Sequence, residues 1–300
     1  MRRLYVVSTA KLKASSPQKR KRKSHMKKSI FALALVSAPA FAQNATPGII
    51  AIQGSDTLAG FMSDIIVNSG LEEQMVYQGG GSGKGEAALI AGLQGIAPMS
   101  RKIKPEALAT AEKAGIQITE HTIGLDGVGL FVNTANKLKQ LNLAQVVDIY
   151  TCKTTNWSQI GGDNAAIVVY RRDDVSGTTD TFKTLTGLKE FGPCVTILKE
   201  TSDIAVATST EAHSIAYAGL SAGRPENHAL SLAKTSADKY YAPTPTNIRS
   251  FNYPLSRTLY VYEAAGAYSK KDAEVQLLGN IIDRSFADPI LVDNEFYTVD

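Results

Sequence analysis

The chain has 300 residues, 44% of them hydrophobic, enough for one large core or two ordinary ones. Its formal charge of +4 is unevenly spread, because eleven basic residues and no acid lie before position 29. Without residues 1–42 it carries 21 basic against 28 acidic residues, a net −7, which counts against nucleic acid or an anionic membrane surface as a partner.

Residues 1–25, with their "KRKRK" run, are expected to be an extension upstream of the true start at Met26. From there "MKKSIFALALVSAPAFA" (26–42) reads as a secretory signal. Lys27 and Lys28 are its charged region, Ile30 to Val36 its apolar core, and Ala40-Phe41-Ala42 its small-x-small cleavage site. The apolar stretch is too short to span a bilayer permanently. No cysteine follows the cleavage site, so a soluble periplasmic protein is expected rather than a lipid-anchored one.

Beyond Gln43, short β-rich runs alternate with amphipathic stretches: "GIIAIQ", "MVYQ", "GVGLFVN", "AAIVVYRR", "SIAYAG" and "TLYVYE". "PEALATAEKAG" predicts a helix with Pro105 in its first turn and Gly115 at its end. Such alternation predicts an α/β fold with mainly parallel pairing. Three times a strand-like run opens a helix through small hydroxyl and glycine residues. These are Gly54-Ser55-Asp56-Thr57, Gly79 to Gly83, and Asp173 to Thr178. A helix start presents free N–H groups and partial positive charge to an anion, although any one of them also reads as a simple N-cap. Two segments, 121–133 and 249–262, are the expected crossings between two lobes.

"QGGGSGKG" (78–85) imitates a nucleotide loop and fails the tests. Gln78 stands where a P-loop needs its first glycine and Gly85 where it needs Ser or Thr; Glu86 replaces the last glycine of a dinucleotide loop. Gly219-Leu220-Ser221-Ala222-Gly223 fits G-x-S-x-G, but Pro225 follows where a nucleophile elbow requires a helix. The four histidines are scattered, and neither Cys152 nor Cys194 has a partner at metal-ligand spacing, so no metal or other cofactor is expected. The two cysteines form either a disulfide or two separate buried thiols.

"GSDT", "GGGSGKGEAAL", "APMSRKIKPE", "LDGVGLFVN", "IYTCKTTNWSQIGG", "VVYRRDDVSGTTDTF" and "SIAYAGL" occur in one order. Together they resemble the phosphate-binding proteins of high-affinity phosphate ABC importers over roughly residues 48–260. The resemblance implies a type II two-lobed periplasmic binding protein, each lobe a mostly parallel sheet flanked by helices. Lobe I would comprise residues 43–125 and 250–300, and lobe II 126–249. It further implies a monomer that binds inorganic phosphate without catalysis and delivers it to a membrane permease. By motif, the ligand would meet Ser55, Thr57, Ser82, Gly83, Ser100 and Arg101 from the first lobe. Arg172, Ser176, Gly177 and Thr178 would meet it from the second, with Asp174 orienting Arg172. Trp157 and Asn156 read as structural.

One departure matters. Relatives often carry an aspartate in an "SDAPL"-type loop that accepts the proton left on hydrogen phosphate, where this chain has "APMSRKI". Asp56 is the expected substitute. A carboxylate acceptor satisfies the phosphate hydroxyl and repels sulfate. The competing readings are a binding protein for another oxyanion, such as sulfate or molybdate, and a secreted phosphoesterase.

Overall fold

The computed structural model describes residues 48–299; the predicted extension (1–25) and signal segment (26–42) lie outside the described residues. β1 (Ile50–Gly54) buries Ile52, and α1 (Ala59–Asn68) buries Phe61, Met62, Ile65 and Ile66 at helical spacing. β2 (Met75–Gly80) pairs in parallel with β1 and passes through Gly81 into α2 (Ser82–Ile90). After β3 (Ile96–Met99) comes α3 (Pro105–Lys113), with Pro105 in its first turn and Gly115 at φ 72° just past its end.

β4 (Ile116–Asn133) then runs for 18 residues without a break. It leads to β5 (Gln140–Asn142), α4 (Leu143–Tyr150), β6 (Val168–Arg172), α5 (Gly177–Thr186), β7 (Val195–Leu198) and α6 (Thr201–Thr210). β8 (Ser214–Gly219), β9 (Asn227–Ala229), β10 (Ser231–Ala233) and α7 (Pro245–Arg249) complete this part. β11 (Ser256–Gly266) returns beside β4, and α8 (Asp272–Ile282) and α9 (Arg284–Asp293) follow.

β4 changes partner midway. Ile116 to Gly127 pair antiparallel with β11, and Val128 to Val132 pair antiparallel with β8. Parallel pairing holds for β1/β2, β5/β10, β6/β7 and β6/β8. The sheet built on β4 is therefore mixed, in the order β3-β11-β4-β8-β6-β7. Of the two segments expected to cross, 121–133 lies within β4 and 249–262 contains the first half of β11, and the two strands run antiparallel.

The buried apolar side chains gather in separate groups on either side of this change. Ile52, Phe61, Met75, Leu259, Leu277 and Leu291 belong to one, and Val132, Trp157, Phe182, Ile215 and Tyr253 to another. Trp157 is buried and donates its indole N–H to His213 O at 3.0 Å, while Asn156 caps the 3₁₀ turn that carries it. Cys152 and Cys194 are joined as a disulfide across 42 residues of sequence. Closing a loop of that length stabilises the fold by about 4 kcal/mol through the denatured chain.

Candidate functional site

The three glycine-and-hydroxyl junctions converge. Ser55, Thr57, Ser82, Ser100, Ser176 and Thr178 are all at least nine-tenths buried. Thr57 Oγ1 lies 3.1 Å from Thr178 Oγ1, and Ser82 Oγ accepts from Ser100 N at 3.1 Å. A Cβ on Gly177 would fall 2.2 Å from Ser82 Oγ and 2.9 Å from Ser100 Oγ, so the start of α5 is pressed against both serines. Neither Ser55 nor Ser176 makes a side-chain cap bond, so capping does not explain these hydroxyls. Their donors lie beside the opening N–H groups of α5, a grouping whose chemistry suits a small oxyanion.

Aromatic packing fixes the direction of α5. Phe182, one turn in, stacks on Tyr217 with centroids 4.0 Å apart and meets the edge of Tyr150 at 4.8 Å. Thr179 Oγ1 and Tyr217 Oη are 2.8 Å apart, and burial pushes the Tyr217 phenol well above its ordinary pKa, so it stays neutral. These contacts aim the helix start at the opposite lobe.

The arginines are arranged differently from the expectation. Arg172 donates through Nη2 to Asp56 Oδ2 at 2.6 Å and through Nη1 to Thr201 Oγ1 at 2.9 Å. Asp56 Oδ1 accepts from Gly80 N at 2.6 Å. Asp56 therefore orients Arg172 across the lobes, and both of its oxygens are engaged. Asp174 does not have that role: it takes Arg171 at 2.7 and 3.3 Å, because residues three apart in this turn face each other. The Arg171 hydrogen bond holds the Asp174 carboxyl below its usual pKa. Arg101 also departs from the expected ligand role. It binds Glu86 at 2.6 Å and Lys102 O at 2.8 Å, and its Nε lies 2.8 Å from Asp180 of α5. Gly83 is likewise committed, since its N–H donates to Val175 O at 3.0 Å.

Sequence reasoning missed Asp126 and Arg257, directly opposite each other on β4 and β11 where β4 changes partner. Asp126 is fully buried and Arg257 nearly so. Arg257 Nε reaches Asp126 Oδ2 at 2.9 Å, Nη1 reaches Thr178 Oγ1 at 2.9 Å, and Nη2 reaches Thr57 Oγ1 at 3.2 Å. One guanidinium thus ties the floor of the site to a hydroxyl from each lobe. The available signal was Asp126, a charge set between Leu125 and Gly127 in an otherwise apolar run; Arg257, between Ser256 and Thr258, gave none.

Ser221 sits in a 3₁₀ turn over Leu220–Ala222, without the helix of a nucleophile elbow. Among the described residues no group of three His, Cys, Asp or Glu is placed to hold a metal ion. No helix among them is long and apolar enough to cross a membrane. Two open hollows of about 590 and 540 Å³ share Arg249 in their linings and contain none of the site residues.

Comparison with known proteins agrees with this architecture. Phosphate-binding protein PstS of Pseudomonas aeruginosa is 29% identical over 236 residues, 72% of each chain. PstS of Staphylococcus epidermidis is 30% identical over 204 residues, 65% of this chain and 61% of its own. A putative phosphate ABC transporter substrate-binding protein of Clostridium perfringens, solved with bound phosphate, superposes with a TM-score of 0.73. It shares 24% identity and covers 84% of this chain and 99% of its own. The family model described as "PBP superfamily domain" matches residues 39–274, and with two α/β lobes meeting over a buried donor cluster, the chain belongs to that superfamily.

Proposed function

We propose that the protein binds inorganic phosphate between its two lobes and delivers it to the membrane permease of an ABC importer, without chemical conversion. The observation that carries this reading is the buried ring of donors contributed by both lobes. Thr57, Ser82 and Ser100 face Ser176, Gly177 and Thr178, with Arg257 beneath. Donors without a nucleophile or metal suit capture of a small tetrahedral anion. Charge-assisted hydrogen bonds of about 1.5–3 kcal/mol each, less desolvation and closure, leave micromolar or tighter binding, about −8 kcal/mol. The similarity to phosphate-binding proteins supports phosphate as that anion.

In the same reading the lobes divide near residues 125 and 250, β4 and β11 form the hinge, and the protein works as a monomer in the periplasm after cleavage behind Ala42. Ser55 and the opening N–H groups of α5 add donors around the anion, with Arg172 held ready by Asp56. Calorimetric titration of the protein, stripped of carried-over ligand, tests the proposal. Phosphate is expected to bind one-to-one in the micromolar range or tighter, with ATP silent. A response to ATP alone, or turnover of a phosphate ester with added divalent metal, would sink it.

A further inference from the structure

We infer that Asp126, not Asp56, is the group by which this site selects a protonated oxyanion, an inference that rests on the phosphate reading above. Asp126 is fully buried beside Arg257 on the paired strands β4 and β11. Arg257 spends both Nε and Nη2 on one carboxylate oxygen, Oδ2. The other oxygen, Oδ1, is buried and has no hydrogen-bond partner. A buried carboxylate oxygen denied both water and a donor is unfavourable, and native structures nearly always supply one. A ligand that carries a hydroxyl supplies it.

The surroundings fit that task. Two further Arg257 N–H groups go to Thr57 Oγ1 and Thr178 Oγ1, so both threonine oxygens accept; the two hydroxyls lie 3.1 Å apart, and with one donating to the other, one hydroxyl hydrogen is left to donate. Thr57, Arg257 and Asp126 lie within one side chain of each other: a Cβ on Gly219 would be 3.0 Å from Thr57 Cγ2, 3.1 Å from Arg257 Nη2 and 3.3 Å from Asp126 Oδ2. The Asp126 carboxylate thus lies beside the threonine hydroxyls, with Oδ1 as its unpartnered acceptor. Hydrogen phosphate has a P–OH for that acceptor. Sulfate has none, and meets it with like charge.

The other carboxylates fit less well. Asp56 has both oxygens engaged, by Gly80 N and by Arg172. Asp173 also has an oxygen without a partner, but its residue is partly exposed, and water is at hand.

Fluorophosphate separates proton from charge, because it matches the size and charge of hydrogen phosphate but has no hydroxyl. The unmodified protein, stripped of ligand, is titrated with phosphate, fluorophosphate and sulfate. Phosphate is expected to bind at least about 100-fold more tightly than either analogue, as sites built around a ligand hydroxyl reject analogues lacking it. Asp126→Asn should bring the three within about tenfold of each other. Asp56→Asn should weaken all three together by loosening Arg172 and keep the ratio. Equal binding of fluorophosphate and phosphate overturns the inference, as does an Asp126→Asn protein that keeps its preference. If Asp126→Asn does not fold, the fluorophosphate comparison on the unmodified protein together with Asp56→Asn decides, and a preference lost in Asp56→Asn overturns the inference. A protein that binds none of the three defeats the phosphate reading, and this inference with it.

Discussion

Arg172 and Arg257 each hydrogen-bond an aspartate from a distant part of the chain, Asp56 and Asp126. Each pair is close to neutral, so the pull on an anion comes from oriented hydroxyls and N–H groups rather than from net positive charge. That reconciles the net negative charge of residues 43–300 with an anion site. Nearby, Glu200 has its carboxyl pKa raised, first by burial and then by the Asp56 charge. A raised carboxyl makes a contribution to stability that is present below the unfolded value of about 4.3 and lost as pH rises through the raised value. Above that window the charged Glu200 weighs against the fold. Glu200→Gln is therefore expected to be neutral or more stable near pH 7, by about a few tenths of a kcal/mol once solvent screening is allowed for. The difference should vanish in acid. Urea midpoints at both pH values would check it, and a less stable variant at pH 7 would contradict the sign. At this scale the sequence showed the hydroxyls and Arg172, because they sit in contiguous junctions. Asp126 and Arg257 meet only through strand pairing across 131 positions, and no local pattern encodes that register.

The element that matters most to the site is α5, whose opening residues supply three of the expected contacts. Its anchor is Phe182, fully buried between Tyr150 and Tyr217. Phe182→Ala should cost about 3–5 kcal/mol of stability, from lost burial and the cavity left behind. Weaker anion binding should accompany the loss as the helix start shifts. Thermal melting with and without phosphate would measure both, and unchanged affinity would mean that the junction is held by other contacts. Most of the elements were legible. "SIAYAG" coincides with β8, and Pro105 and Gly115 bracket α3 as predicted. The length of β4 was not legible. Its first half, "IQITEH", alternates only weakly, and it becomes a strand by lying against β11 over the whole interval from Ile116 to Gly127. The mixed sense of the central sheet was hidden for the same reason, since alternation of strands and helices says nothing about strands that cross between lobes.

At the scale of the molecule, the lobes as proposed above would be joined by the ion pair of Arg101 with Asp180, with Lys104 Nζ 3.1 Å from the same carboxylate. Arg101 keeps Glu86 when Asp180 is neutralised, so Asp180→Asn should leave the fold intact and loosen the closed state. Apparent affinity scales with the fraction of closed molecules. A loss of about 1 kcal/mol would weaken phosphate binding about fivefold, mostly through faster release, with the preference over sulfate unchanged. Stopped-flow release kinetics would test this, and an unaltered release rate would remove Asp180 from the closing machinery.

The glycine run acts at this scale too. Gly81 has φ 97°, and a Cβ there would lie 2.6 Å from Val175 O in the facing loop; Gly83 N donates to that same oxygen. Backbone meets backbone with no side chain between, so the gap at closure is fixed by the protein and not by its cargo. A phosphate monoester, with carbon on one oxygen, would wedge that seam open by at least the width of a methyl group. The same contact that shuts the site over a bare anion therefore works as a gauge, passing the free ion and refusing its organic esters.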